Sequence, residues 1–260
     1  MKDTLMPIDI RQFACLSDNY GYLVHDRETG ATAAIDTPDA EAINRELDAA
    51  GWKLTHILNT HHHWDHVGGN LALKEKWGCT IIGPKGEANK IPGIDQPVGE
   101  GDDIMLGASK ASVHTTPGHT LGHIIYYFAD DRAAFVGDTI FAMGCGRLFE
   151  GTAEQMWSSL SMIAALPPET KLYCAHEYTQ ANAAFALSVD PENTDLKKRS
   201  ADVDALRARN TPTVPTTVAL ERATNPFLRA GEPALQAAIK MAGAKPVDAF
   251  AETRRLKDNF

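Results

Sequence analysis

The segment Thr60-His61-His62-His63-Trp64-Asp65-His66 constrains this chain more than any other. It follows the apolar pair Ile57-Leu58 and so stands at the end of a short strand. His61 and His63 are two positions apart, so in extended backbone they project the same way and can share one metal ion. Asp65 and His66 come next, where a turn into a helix starting near Gly68-Gly69 aims them at a second ion. Imidazole and carboxylate donors without thiolate suit Zn, Fe or Mn. A solvated, histidine-rich loop would have no need of that spacing.

Three more ligand-type residues stand at the ends of expected strands. His119 lies in Thr116-Pro117-Gly118-His119-Thr120, after a strand at 111–115. Asp138 lies in Gly137-Asp138-Thr139, after Ala134-Phe135-Val136, and His176 lies in Cys174-Ala175-His176-Glu177, after Lys171-Leu172-Tyr173. Taken singly, each reads as a loop or capping residue. Loops on one edge of a rigid sheet are nonetheless where sites are built, and seven such residues fill two coordination spheres. The other histidines, His25, His56, His62, His114 and His123, have no ligand role, and His62 alternates with its neighbours and should point away from the metal.

Short β-branched or aromatic runs predict strands at 31–36, 54–59, 79–83, 111–115, 123–128, 133–137 and 171–175. Helices are expected at 39–50, 68–77 and 153–165, the last opened by Thr152 and Gln155 in capping-box spacing. Mixed elements in this order suggest a layered α/β sandwich. After His176 the strand signals cease. Residues 177–210 read as two helices broken at Pro191, 211–215 as an extended connector, and 232–243 and the tail as helical. The expected domains are therefore a catalytic α/β domain over 1–176 and a smaller helical one over 177–260.

The series THxHxDH, PGHT, GDT and a late histidine, spanning residues 60–176, resembles the metallo-β-lactamase superfamily. The resemblance implies an αββα sandwich followed by a smaller C-terminal helical domain. It implies two divalent metal ions, Zn foremost, with Fe or Mn also suited. His61, His63 and His119 would bind the first, Asp65, His66 and His176 the second, and Asp138 both. Asp65 and Asp138 would be the catalytic carboxylates, around a hydroxide bridging the ions. Two ions can ionise a shared water near neutral pH, so no Ser or Cys nucleophile is needed. The chain also has no Gly-x-Ser-x-Gly elbow.

Further segments narrow the resemblance to the hydroxyacylglutathione hydrolases, also called glyoxalase II. These are Gly144-Cys145-Gly146-Arg147-Leu148-Phe149-Glu150-Gly151-Thr152, His176-Glu177-Tyr178-Thr179, Asn225-Pro226-Phe227-Leu228-Arg229 and Arg254-x-x-Lys257-Asp258. The implied reaction is hydrolysis of S-D-lactoylglutathione to glutathione and D-lactate, the second step of methylglyoxal detoxification. The resemblance lines the glutathione site with Arg147, Phe149, Tyr178, Arg254 and Lys257, adds Asn182, and assigns substrate binding to the helical domain. Many members carry Lys and Tyr where this chain has Arg147 and Phe149; the arginine keeps the charge, while the phenylalanine lacks the hydroxyl. The alternative is a mono-iron oxidoreductase of the persulfide dioxygenase type on the same fold.

Composition bounds the partners. The net charge of −9 disfavours nucleic acid, which needs clustered Lys and Arg. No apolar run approaches the length of a membrane span, and the N-terminal residues lack the apolar core of a signal peptide. The four cysteines form no C-x-x-C pair and suit a reducing compartment. A cytoplasmic monomer that acts on a small thioester is expected, with neither membrane nor nucleic acid as partner.

Overall fold

The computed structural model describes residues 8–260, which divide into two compact units. One runs up to Thr115 and includes Gly122–Gly137; the other comprises Thr116–Leu121 and Asp138–Phe260.

The first unit is built on two sheets. Strands β1 (Ile8–Cys15), β2 (Asn19–Asp26), β3 (Thr32–Ile35), β4 (His56–Leu58), β5 (Thr80–Pro84) and β6 (Gln96–Val98) form a six-stranded sheet in chain order. Its first three strands are antiparallel; β3 to β6 run parallel. Parallel neighbours need crossovers, and these are helix α1 (Ala40–Ala50), the pair α2 (Trp64–Val67) and α3 (Asn70–Trp77), and the 3-10 turn Lys85–Lys90 between β5 and β6. Asp39 caps α1 by accepting from the amides of Glu41 and Ala42. Ile43, Leu47 and Leu73 from these helices pack on Leu23, Ile57 and Ile81 of the sheet. Strands β7 (Asp103–Leu106), β8 (Ser109–Thr115), β9 (Ile124–Phe128) and β10 (Ala133–Gly137) form an antiparallel meander. It packs on the first sheet: the Phe135 ring meets Tyr22 edge-on at 5.6 Å, and the Tyr126 hydroxyl donates to the Asn59 carbonyl at 2.8 Å.

The second unit opens with the loop Thr116–Leu121. It continues with the short hairpin β11 (Ile140–Phe141) and β12 (Gly144–Cys145), helix α4 (Ala153–Ala164) and strand β13 (Lys171–Cys174), which pairs with β14 (Thr216–Thr217). Helices α5 (Thr179–Val189), α6 (Thr194–Arg207), α7 (Val218–Thr224), α8 (Pro233–Ala238) and α9 (Pro246–Asp258) complete it. The capping box expected at the start of α4 is formed: Thr152 and Gln155 satisfy each other's backbone amides.

The expected strands coincide with β3, β4, β5, β8, β9, β10 and β13 to within a few residues, and the break at Pro191 separates α5 from α6. The hairpin β1–β2 carried no readable signal, for a physical reason. β2 is buried at nearly every position and so lacks alternation, while β1 holds Arg11 and Gln12 in a half-exposed face. The helix expected at 232–243 is shorter, because Lys240 and Gly243 take left-handed backbone conformations beyond Ala238. No described helix is long and apolar enough to cross a membrane.

All four cysteines are buried. Burial pushes the thiol of Cys15 up to about 12 and that of Cys145 up to about 11, and burial also raises Cys79 and Cys174. At pH 8 almost no thiolate is present at these sites. A colourless-to-coloured disulfide reagent should therefore find essentially no reactive thiol in the native chain at that pH, and all four after denaturation. Rapid reaction of a native cysteine would contradict this burial.

Candidate metal centre

In the first unit the chain leaves β4 at Leu58 and turns through residues 59–63 into α2. The Asn59 side-chain nitrogen donates to the carbonyl of His66 at 3.0 Å and Asn70 donates to the Asn59 side-chain oxygen at 2.8 Å, so the loop is laced to α2 and α3 behind it. Asp36, at the end of β3, is buried and holds the loop from the other side. Its carboxylate accepts from the Thr60 amide, the Thr60 hydroxyl and Nδ1 of His66, each at 2.8 Å. A carboxylate only accepts, so His66 carries its proton on Nδ1 and presents the Nε2 lone pair. That nitrogen stands 3.5 Å from Asp65 Oδ2, which itself accepts from Asn19 at 3.1 Å. His61 Nε2 and His63 Nδ1 lie 3.0 Å apart, and the donor atoms of Asp36, His61 and His66 fall within 4.8 Å of one another. His62 turns away, as its alternation implies, and gives Nδ1 to the buried Glu87 at 2.7 Å.

The second unit gathers the other three. His119 donates Nδ1 to the carbonyl of Arg147 at 2.9 Å, which leaves Nε2 as the candidate donor atom, 3.4 Å from Asp138 Oδ2. His176 Nε2 is 3.5 Å from Asp138 Oδ1. Each oxygen of this buried carboxylate thus faces one imidazole nitrogen. For ligand bonds of about 2.0–2.2 Å, the edge of a tetrahedral coordination shell is about 3.3–3.6 Å. The separations around Asp138 and between Asp65 and His66 match that edge, and the donor set is one that Zn, Fe and Mn accept. These residues fit a metal.

The expected substrate residues fall into two groups. Tyr178 stacks on His176 with ring centres 4.7 Å apart, and Phe149, largely exposed, sits 5.2 Å from the His119 ring. Arg147 is exposed. Lys257 is half-buried, with its ammonium over the rings of Phe185 and Phe260 and donating to the Ala181 carbonyl at 3.2 Å. Burial lowers its pKa, and the nearby charges of Arg254 and Arg147 lower it further. Asn182 and Arg254 are buried instead: Asn182 donates to the Ala142 carbonyl at 3.1 Å, and Arg254 donates to the Cys145 carbonyl at 3.0 Å and to Asp258 at 2.8 Å. Sequence reading passed over Asp36, although it too is a carboxylate at a strand end, the one signal shared by the candidate ligands.

Residues 22–176 match the Metallo-beta-lactamase superfamily, the class of protein that these sheets and donor residues define, and residues 177–260 match the Hydroxyacylglutathione hydrolase C-terminus. Two curated relatives are named hydroxyacylglutathione hydrolase. The one from Maricaulis maris is 57% identical over 96% of this chain and 98% of its own, and the one from Rhizobium meliloti is 54% identical over 97% and 99%. The chain belongs to the hydroxyacylglutathione hydrolase family of enzymes. Among solved structures, ETHE1 from Myxococcus xanthus superposes with a TM-score of 0.69 at 26% identity, covering 95% of this chain and 90% of that one. TTHA1623, crystallised in a di-iron-bound form, gives 0.60 at 25% identity, covering 85% and 100%.

The hydrogen bond from His66 to Asp36 yields a prediction. Partners that orient a ligating histidine typically carry about 10- to 100-fold in metal affinity. Asp36→Asn should weaken metal binding by that factor while the far-UV circular dichroism stays native, measured by competition with a chromophoric chelator.

Proposed function

We propose that this chain hydrolyses S-(2-hydroxyacyl)glutathione thioesters, S-D-lactoylglutathione foremost, and so performs the second step of methylglyoxal detoxification. The observation that carries the reading is Asp138, whose two carboxylate oxygens each face a histidine nitrogen, in a chain whose relatives are named for this activity. His61, His63 and His119 would hold one divalent ion, Asp65, His66 and His176 a second, and Asp138 both. Zn is the first expectation, with Fe or Mn suited to the same donors. Two bound ions would supply a water ionised near neutral pH and an electrophile for the acyl oxygen.

The chain's own residues then have defined tasks. Asp36 and the Arg147 carbonyl fix the tautomers of His66 and His119, so each offers Nε2. Phe149 and Tyr178, which lie against His119 and His176, supply apolar walls that exclude water on the substrate side. Glutathione carries two carboxylates, and Lys257 and Arg147, close enough that the arginine charge helps lower the lysine pKa, would receive them. Asn182 and Arg254, both buried, hold the Ala142 and Cys145 carbonyls instead. A thiolate leaves readily, so the acyl transfer needs little acid assistance.

The direct test is hydrolysis of S-D-lactoylglutathione by the purified protein, with metal content measured on the same sample. Two ions per chain and turnover are expected, and Asp138→Ala should lose activity by orders of magnitude. One ion per chain together with oxygen consumption on a glutathione persulfide would replace this reading with an oxidoreductase.

Removing a cation that pairs with a carboxylate forfeits roughly 1.5–3 kcal/mol. Lys257→Ala should therefore raise KM about 10- to 150-fold, with kcat and metal content little changed. Because its pKa is lowered, Lys257 sheds its proton at a lower pH than an ordinary lysine. KM of the wild type should accordingly rise with pH on the alkaline side, and Lys257→Arg, which keeps its proton, should flatten that rise. An unchanged KM in Lys257→Ala would remove this residue from the glutathione site.

A further inference from the structure

The motif Asn225-Pro226-Phe227-Leu228-Arg229 contains no candidate ligand, yet it is among the most tightly bonded segments of the second unit. Asn225 is fully buried at the end of α7. Its amide nitrogen donates to the carbonyls of Phe141 and Gly144 at 3.2 and 2.9 Å and to Glu221 Oε2 at 2.9 Å, while its oxygen accepts from the Phe227 amide at 3.0 Å. Glu221, also fully buried, accepts from the Met143 amide at 2.8 Å and is paired with Arg199 at 2.6 Å. Asn182 of α5 takes the Ala142 carbonyl, and Arg254 of α9, seated over the Phe227 ring at 5.1 Å, takes that of Cys145. Every residue from Phe141 to Cys145 is thereby held by a side chain of a surrounding helix.

That hairpin is a poor structure by itself. It has two residues per strand, and Met143 takes a positive φ of 56°. Isolated two-stranded hairpins are marginal at best, so its shape comes from the clamp. The hairpin also lies between two parts of the metal centre. Asp138 precedes it, and Arg147, whose carbonyl orients His119, follows it. There is no slack at the join: a Cβ on Gly146 would overlap the Asp138 carbonyl oxygen and come within 3.1 Å of His119 Nδ1.

We propose that Asn225, acting with Asn182, Glu221 and Arg254, is a positioning residue of the metal centre. By clamping residues 141–145 it sets both Asp138 and the Arg147 carbonyl that orients His119. This rests on the dinuclear reading above, and it gives the helical part of the chain a task beyond contacting substrate. Groups that orient ligands in this way typically contribute about 10- to 100-fold in metal affinity.

The test uses full-length Asn225→Ala and Asn182→Ala, the latter removing only the bond to Ala142. Metal affinity is read by chelator competition, and Tm is measured with and without metal. A positioning role predicts affinity about 10- to 100-fold weaker in Asn225→Ala, about 3- to 10-fold weaker in Asn182→Ala, and in both a smaller rise in Tm on adding metal. A role confined to packing lowers Tm equally in apo and loaded protein and leaves affinity at the wild-type value; that result overturns the proposal. Should Asn225→Ala fail to fold, wild-type affinity in Asn182→Ala overturns it equally. A wild-type stoichiometry below two would count against the dinuclear reading alone, since the clamp is judged on the ratio of variant to wild-type affinity.

Discussion

The Asp36 carboxylate accepts three hydrogen bonds, from the amide and hydroxyl of Thr60 and from Nδ1 of His66, in a place with almost no solvent contact. A buried carboxylate without such donors would cost several kcal/mol and would take up a proton instead. With them, the carboxylate is satisfied and the loop is tied at Thr60 and His66. The position of Thr60 determines where His61 and His63 start, and the ring of His66 is turned so that Nε2 faces away from Asp36 as the candidate donor atom. The ligand segment therefore depends on a residue contributed by the neighbouring parallel strand, β3.

The second unit solves the same problem with backbone oxygen. His119 gives Nδ1 to the Arg147 carbonyl, and that carbonyl is placed by a hairpin whose backbone groups are taken up by buried Asn, Glu and Arg side chains. The Arg199–Glu221 pair is nearly inaccessible to water, but its groups are saturated with hydrogen bonds to Thr216, Thr224, Met143 and Asn225. Breaking such a network at one member leaves others buried and unmet. A short, intrinsically weak hairpin is thereby held in one place beside the candidate ligand Asp138.

Much of the candidate site was legible because its chemistry is written in local spacing. His61 and His63 are two positions apart and bring ring nitrogens within 3.0 Å of each other, and Asp65 and His66 fall in the first turn of a helix. His119, Asp138 and His176 each follow a strand, all within four residues of its end. The residues around them were less legible. Arg254 and Lys257 are alike as charges three apart in a tail helix, yet one is buried against the Cys145 carbonyl and the other lies half-exposed over two aromatic rings. Asn182 reads as a polar helix position and turns out to be a buried donor. Charge and spacing do not report which face of a helix meets which neighbour.

By itself the sequence determined the strands and helices whose hydrophobic period is clean, the seven ligand-type residues and the family to which their order belongs. Those features depend on contacts within a few residues, where side-chain direction follows from backbone geometry. Only the tertiary structure decided that Asp36 orients His66, that Glu87 receives His62, and that Asn225 grips a hairpin more than eighty residues earlier in the chain. A hydrogen bond between residues distant in sequence leaves no periodic trace, because a buried donor is satisfied by whichever acceptor the packing brings within about 3 Å.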